Sequence, residues 1–434
     1  MKQLIIILMC FSINANATDL MSLHDRAMQH NIDLLHKKFD LDIANETLKQ
    51  TRSSIFPEVN FTATASETMI ERYKSLGTYN PSNYDRDTYN LSIKQPLFYL
   101  YVFDEIKKSN DIVKQNEIRK NDSNSLLLLD TVRHYFNLIK FNNLVELNEA
   151  KKDFHNSKYI ASEKLVNNNS ISVQEYEKYK NEYSKSLVDV AISKNQLSEI
   201  KNDVYLFSGK ELNDINNIKL TKINHKIFLE DELIQSAYNR NNSIKIARQN
   251  INISRNEIAS QKSRHYPTVD IIAEYDYIDL TQGGSQFGAT TREDSTISLV
   301  LNFPIYNGGY QSSKTNEARM SYQKARLDLD NTKRILRKDI KNTLNNYNTY
   351  RSSFELSLQV LDTNMKKYQN AKIGNEQGIY TDTQLLETKI SYLESLFDAK
   401  NTMMDYLYTE ITLDYLHNDL DITMLRKINS YLIW

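Results

Sequence analysis

The chain repeats itself once, and this constrains its architecture more than any other feature. AMQHN at 27–31 matches AYNRN at 237–241. FPEVNFTATAS from Phe56 matches YPTVDIIAEYD from Tyr266, and LSIKQPLF around Pro96 matches LVLNFPIY around Pro304. VNNNSIS near Asn169 matches NEQGIYT near Gly378. The offsets lie between 208 and 210 residues. Repetition in register means one structural unit built twice. Pro57, Pro96, Pro267 and Pro304 all fall inside the matched pairs, and Pro81 lies in a polar loop.

Each half has the same order of elements. A helix is expected over 19–54 and again over 230–264, ending where the X-Pro pair disfavours helical backbone. A strand follows: Val59, Phe61, Ala63 and Ala65 alternate with polar residues, as do Val269, Ile271, Ala273, Tyr275 and Tyr277. Polar loops at 73–87 and 281–294 lead to second strands marked by Leu91 and Ile93, then by Ile297, Leu299, Leu301 and Phe303. Period-two patterning gives each strand one apolar and one polar face. Proline-free tracts at 99–166 and 310–372 read as helices that rise about 90 Å each, returning through helices at 173–207 and 381–417. The whole chain then divides into 1–17, a first repeat at 18–208, a linker at 209–229, a second repeat at 230–418 and a C-terminal segment at 419–434.

Heptads support the long helices. Ile340, Tyr347, Phe354, Leu361 and Tyr368 form one row, with Leu344, Leu358 and Met365 beside it. On the returning helix Ile390, Phe397, Met404 and Ile411 form a row, with Leu386, Leu393 and Leu407 adjoining; Lys400 and Asp414 interrupt the second row. Two marked rows over four to five heptads are a coiled-coil signature. The low breaker content agrees: 9 glycines and 5 prolines in 434 residues leave room for few turns.

The first residues, MKQLIIILMCFSINANATDL, carry a basic Lys2, an apolar run at 4–13 and Ala15-Asn16-Ala17. This is the pattern of a secretory signal peptide cleaved after Ala17, so the mature chain is expected to begin at Thr18. Cys10, the single cysteine, lies inside that segment, preceded by Met9 rather than a small residue. The mature chain is therefore expected to be exported, free of lipid and of disulfides. No later stretch has about eighteen consecutive apolar residues, so membrane contact requires a β-barrel or the surface.

Other chemistry is missing from the pattern. With 54 basic and 55 acidic residues there is no footprint for nucleic acid. His24, His30, His36, His134, His155, His225, His265 and His417 form no metal-spaced set, and no nucleophile elbow, P-loop or dinucleotide fingerprint occurs. The expectation is a non-enzyme with no catalytic residue, metal or cofactor.

Four amphipathic strands cannot close a barrel, and lipid does not tolerate open edges. Two copies would give eight strands packed solid with side chains, and three would give twelve, enough for a lumen. A trimer is the smallest assembly that conducts anything sizeable.

At this point FPIYNGG at 303–309, YQNAKIGNEQGIYTD at 368–382 and the helix from Leu385 to Leu416 resemble the TolC family of outer-membrane efflux and secretion ducts. The resemblance covers nearly all of the mature chain. It implies a mostly α fold with a small membrane β part: a homotrimeric twelve-stranded β-barrel in outer-membrane lipid, continued into the periplasm by a long α-helical barrel. Implied partners are a periplasmic adaptor (membrane fusion) protein and an inner-membrane RND, ABC or MFS transporter. Pro304, Gly308, Gly309 and Pro96 match the strand–helix junctions. The helix tips, with Asn168, Asn169, Gly374 and Gly378, match the adaptor-contacting turns. The family's acidic periplasmic gate falls on Glu387 and Gln384, with Glu175 in the first half. The first half has QPLFYLYV instead of a Gly-Gly junction, and the family's Asn-Pro is Asn31-Ile32 and Asn241-Asn242. Two alternatives remain at this stage, a periplasmic adaptor and a coiled-coil surface protein.

Overall fold

The computed structural model describes residues 19–69, 83–212, 215–280 and 290–432. The expected signal peptide with Cys10 and Thr18, and the loop carrying Pro81, lie outside the described residues. Among the described residues twelve elements follow the duplicated order and a thirteenth ends it: α1 (Leu20–His30), α2 (Ile32–Ser53), β1 (Glu58–Thr68), β2 (Tyr84–Phe98), α3 (Leu100–Asn167), α4 (Val173–Ser208), α5 (Glu230–Arg240), α6 (Asn242–Ser263), β3 (Thr268–Leu280), β4 (Thr290–Asn302), α7 (Tyr310–Glu376), α8 (Asp382–Leu416) and α9 (Ile422–Asn429). Residues 38–119 and 243–332 form one compact unit and the remaining residues another.

The strand-bearing unit holds one antiparallel sheet in the order β1-β2-β3-β4. Its register aligns Val59, Ile93, Ala273 and Ile297 across all four strands, with Phe61, Leu91 and Tyr275 in the next row on that face. The opposite face carries Thr62, Asn90, Asp276 and Asp294, then Asn60, Ser92, Glu274 and Thr296. The apolar row is exposed: Phe61 by 67%, Ile297 by 83% and Leu299 by 69%. Apolar residues on one face and polar on the other, with tyrosines Tyr89, Tyr275 and Tyr277 toward one end, are the pattern of membrane barrel strands. The strands run further than expected, because Tyr84–Asp87 and Thr290–Asp294 pair although they read as loop. Backbone pairing continues beyond the apolar belt, where polar side chains cost nothing in water.

Below the sheet in sequence, α2 and α6 flank the first turns of α3 in the same unit. Ala44, Leu48 and Val113 are buried together, with Leu41, Ile106 and Ile112 against them. Polar side chains join α3 to α6: Lys108 pairs with Glu257 at 2.8 Å, Asn256 donates to Asp111 at 2.8 Å, and Arg264 pairs with Glu105.

In the other unit α1 packs on α4 and α9. Leu20, Leu23, Ala27, Val204, Phe207, Leu425 and Ile428 are buried there. Asp19 caps α1 by accepting from the Ser22 amide at 2.8 Å, and it also accepts from Asn429 of α9. Lys427 reaches the buried Glu410 on α8 at 2.8 Å.

The single helix expected over 19–54 and again over 230–264 is instead broken in two in each half. Asn31 and Asn241 have extended backbone, with ψ of 117° and 134°. No proline is needed: the Asn31 side chain caps the next helix by accepting from the Leu34 amide at 3.0 Å, and Asn241 donates to the Leu416 carbonyl at 2.9 Å. Asparagine favours such caps because its amide competes with the helix for backbone partners.

The linker at 209–229 is a strap fastened to three helices. Tyr135 of α3 both donates to the Asn216 carbonyl and accepts its amide, and Asn143 and Asn217 exchange amide hydrogen bonds. Ile218 bridges Leu432 of the C-terminal segment. Lys226 pairs at 2.7 Å with Asp414 of α8, which explains one interruption of the heptad row. Lys400, the other interruption, is half-buried; burial lowers its pKa while Glu146 opposes this. The heptad residues Ile340, Tyr347, Phe354, Met404, Leu407 and Ile411 are buried, whereas Leu361, Tyr368, Leu386 and Ile390, nearer the turns, are only half-buried.

Candidate functional site: the hairpin turns and the strand–helix junctions

The α3–α4 turn is closed by asparagine. Asn169 adopts φ 54°, and the Ser170 amide donates back to the Leu165 carbonyl at 2.8 Å. In the α7–α8 turn the same place is held by Gly378 with φ 73°, and the Ile379 amide donates to the Gly374 carbonyl at 2.8 Å. The left-handed region is open to glycine and, among side-chain-bearing residues, most readily to asparagine. Asn168 and Asn169 are exposed. Gly374 lacks a side chain for a different reason: a Cβ there would overlap Cδ2 of the Tyr380 ring.

Both returning helices start on a hydroxyl cap. Ser172 accepts from the Glu175 amide at 3.2 Å. Thr381 accepts from the Gln384 amide, and the Gln384 side chain accepts the Thr381 amide at 2.9 Å, completing a capping box. Of the three gate candidates, Gln384 is thus committed to the helix start, and Glu175 accepts from the Tyr179 hydroxyl at 3.3 Å. Glu387, one turn further, is exposed and makes no ion pair among the described residues. The three side chains sit on two separate helices of one chain, Glu175 on α4 and the other two on α8.

Behind the turns the hairpins are joined by contacts that the sequence pattern did not reveal. Tyrosines stack between α3 and α4 and, at equivalent places, between α7 and α8. Lys151 of α3 pairs with Glu394 of α8 at 2.7 Å. His155 lies 3.6 Å from Glu182; burial lowers its pKa against the pull of that carboxylate. Spacing in sequence could have hinted at the tyrosines, because both pairs share the 209-residue offset of the turns.

The two junctions differ. In the second half β4 ends at Asn302, so pairing stops before Pro304, and Gly308 and Gly309 take φ 66° and 79° before α7 begins at Tyr310. In the first half Pro96 does not end the strand. It sits inside β2 opposite Asp270, at a register shift between Pro96 and Phe98, and α3 starts directly at Leu100. A bulge accommodates the missing amide hydrogen. Gln95 donates to the Ile55 carbonyl at 3.0 Å and Tyr99 donates to the buried Asp270 at 3.1 Å, which fixes the corner without glycine.

The expectation that no histidine meets carboxylates with metal-like spacing needs correction. Asp414, His417 and Asp419 present oxygen and nitrogen atoms within 4.8 Å of one another. They lie at the end of α8, where Asn418 turns left-handed with φ 56° and brings Asp419 back under the helix. The Lys226 ammonium already occupies Asp414, and His417 Nδ1 donates to the Leu413 carbonyl at 2.6 Å. The set works as an ion-paired helix end.

Comparison with known proteins agrees with this geometry. The family described as outer membrane efflux protein matches residues 233–416, the second repeat. The outer membrane protein TolC of Salmonella enteritidis is 21% identical over 448 residues, covering 100% of this chain and 89% of that protein. The chain is similar to TolC along its whole length. Another relative, the proteases secretion protein PrtF of Dickeya chrysanthemi, is 19% identical over 330 residues, covering 74% of this chain and 71% of that protein. Among solved structures, the Campylobacter jejuni CmeC outer membrane channel superposes with a TM-score of 0.73 at 15% identity, covering 95% of this chain and 90% of that one. This protein is an outer-membrane duct for efflux or secretion, extending into the periplasm. TolC-family outer-membrane channels are trimers that work within tripartite pumps or secretion systems, and the family is one of ducts rather than enzymes. The alternatives of an adaptor and a surface coiled coil are set aside.

Proposed function

We propose that three copies of this chain join edge to edge, β4 of one against β1 of the next, into a twelve-stranded barrel through which small toxic molecules or unfolded proteins leave the cell. The observation that carries this reading is the open sheet: order β1-β2-β3-β4 leaves an unpaired edge on β1 and another on β4, and one face is exposed and apolar. Each unsatisfied backbone group costs several kcal/mol in lipid, so the edges must be closed by another copy. The turns at 168–173 and 375–381 then dock a periplasmic adaptor protein, behind which stands an RND, ABC or MFS transporter. Glu387, exposed and without an ion pair among the described residues, is the carboxylate best suited to act in a closed aperture, with Gln384 in the α8 cap and Glu175 in the first turn of α4 as the other gate candidates. Fractionation tests the reading. The chain should be found in the outer membrane as a trimer that dissociates only on heating in detergent; a monomer in the soluble periplasmic fraction would overturn it.

A further inference from the structure

In each compact unit the long helices can be followed, one to the next, by the side chains that join them. In the strand-bearing unit α2 leads into β1, α3 leaves β2, α6 leads into β3 and α7 leaves β4. Ala44, Leu48 and Val113 pack α2 on α3. Lys108 and Glu257 join α3 to α6, and Gln311 of α7 donates to the Gln261 carbonyl of α6 at 2.6 Å. The helices therefore repeat the strand order, with α2 and α7 at the ends. In the other unit the Tyr159–Tyr183 stack joins α4 to α3, Lys151 and Glu394 join α3 to α8, and the Tyr368–Tyr392 stack joins α8 to α7. There α4 and α7 are the ends.

The end helices are apolar on their free sides as well. On α2, Phe39 and Ile43 are exposed, away from the side of Leu41, Ala44 and Leu48. On α7 beside the sheet, Met320 and Leu327 are 67% and 69% exposed, away from the buried Gln311, Thr315, Ala318 and Ala325. In the other unit Val188 and Ile192 of α4 are exposed, away from the buried Ser186, Val190 and Ser193, and so are Leu356 and Val360 of α7, away from Tyr347 and Phe354. At about 100° per residue, each exposed residue lies at least about 120° round its helix from the middle of the buried stripe. A helix with one apolar stripe and one polar face suits a solvated surface, whereas apolar residues on two sides call for a neighbour on each.

We propose that α7 is the seam helix between copies: Met320 and Leu327 pack on Ile43 and Phe39 of α2 in the next copy, and Leu356 and Val360 pack on Ile192 and Val188 of α4 in that same copy. This rests on the closure by three copies given above, in which β4 of one chain pairs with β1 of the next and so brings α7 beside the neighbour's α2. Distances along the helices agree with it. Met320 and Ile43 each lie ten residues from the sheet-side end of their helix, about 15 Å at 1.5 Å per residue. Phe39, at about 21 Å, falls between the levels of Met320 and Leu327. Counted from the hairpin turns, Val188 and Val360 both stand near 23 Å, and Ile192 and Leu356 both near 29 Å, at about the same rise. Met320 and Leu356 are 36 residues apart, about ten turns of helix, so both patches face the same side of α7 and the same neighbour. Between them that side carries Asn331, Lys338, Asn342, Asn345 and Thr349. The seam is thus fastened by two separate apolar patches with a polar stretch between.

Cysteine pairs in the full-length protein test each patch in intact cells. Ile43→Cys is combined with Met320→Cys, and, in a separate variant, Val188→Cys with Val360→Cys. After oxidation, membranes are run in detergent with and without heating, so that linked copies and non-covalent trimers are read from one sample. Both pairs should give dimers and trimers that survive heating. The four single variants should give none. Ala44→Cys with Met320→Cys, and Val190→Cys with Val360→Cys, should also give none, because Ala44 and Val190 face helices of their own copy. Unheated trimers in which either pair fails to link would overturn the seam while leaving the closure by three copies standing. Links as strong from the Ala44 or Val190 pairs would overturn it too. Absence of any trimer in the unheated samples would overturn the seam and the closure together.

Discussion

Tyr159 of α3 stacks on Tyr183 of α4, with ring centroids 5.7 Å apart and planes 6° from parallel. The second repeat does the same with Tyr368 and Tyr392, at 5.7 Å and 11°. Each pair sits between a long helix and its return. Offset-stacked rings contribute about 0.5–1.5 kcal/mol beyond the area they bury. A double-mutant cycle with Tyr159→Leu and Tyr183→Leu should return a coupling of that size in thermal unfolding, and the Tyr368–Tyr392 cycle a similar one. A coupling near zero would make the stacks incidental.

The two turns make opposite choices at one backbone conformation, which predicts a ranking. Gly378→Ala should destabilise by about 1 kcal/mol, since a Cβ is strained at positive φ. Gly378→Asn should cost less than half of that, because Asn169 holds the matching place with φ 54°. Gly374→Ala fails for a different reason, the Tyr380 ring, so Tyr380→Ala in the same chain should recover most of the loss. Midpoints of thermal unfolding for the four variants check the order.

Much of the architecture is legible in the sequence because it is periodic. The duplication, the two faces of the strands and the span of α3 and α7 all follow from spacing, and the helix ends fall within a few residues of those expected. What is not periodic is not legible. The breaks at Asn31 and Asn241 depend on side-chain caps rather than on proline. The polar ends of β2 and β4 pair without any apolar signal. The strap is held by partners far away in sequence, such as Tyr406 for His225 and Asp414 for Lys226, and neither pair could be matched by spacing. The candidate turns were legible as glycines and asparagines, and Thr381 with Gln384 three residues on matches the capping-box pattern, although the family resemblance drew Gln384 toward the gate.

Acid should weaken the unit that contains α1 and α4. His134 lies against the Phe207 ring, centroids 4.5 Å apart, and burial lowers its pKa from 6.5 to about 4. The unfolded chain then binds the proton more tightly than the folded one. Stability from this residue is full above about pH 6.5 and falls as pH drops toward 4, by up to roughly 3 kcal/mol. His134→Phe should flatten that part of the unfolding profile.

Glu387 is expected to bind cations in the closed duct. Three exposed carboxylates brought round a narrow axis repel, and a divalent ion between them relieves the repulsion. Glu387→Gln should weaken block by divalent cations in single-channel recordings and leave the trimer intact. Unchanged block would make Glu387 an ordinary surface carboxylate, for which a single charge does little.

Closure by three copies can be read directly from cysteine crosslinks. The chain has one cysteine, Cys10, inside the expected signal peptide, so introduced pairs report alone. One cysteine replaces Ala63 in the middle of β1, and a second is scanned along residues 294–298 of β4. Oxidation in intact cells should give, for one position of the scan, a ladder of linked dimers and trimers that stops at three, recovered from the outer membrane. A chain that stays monomeric at every position, or a ladder that climbs past three, would contradict a barrel closed by three copies.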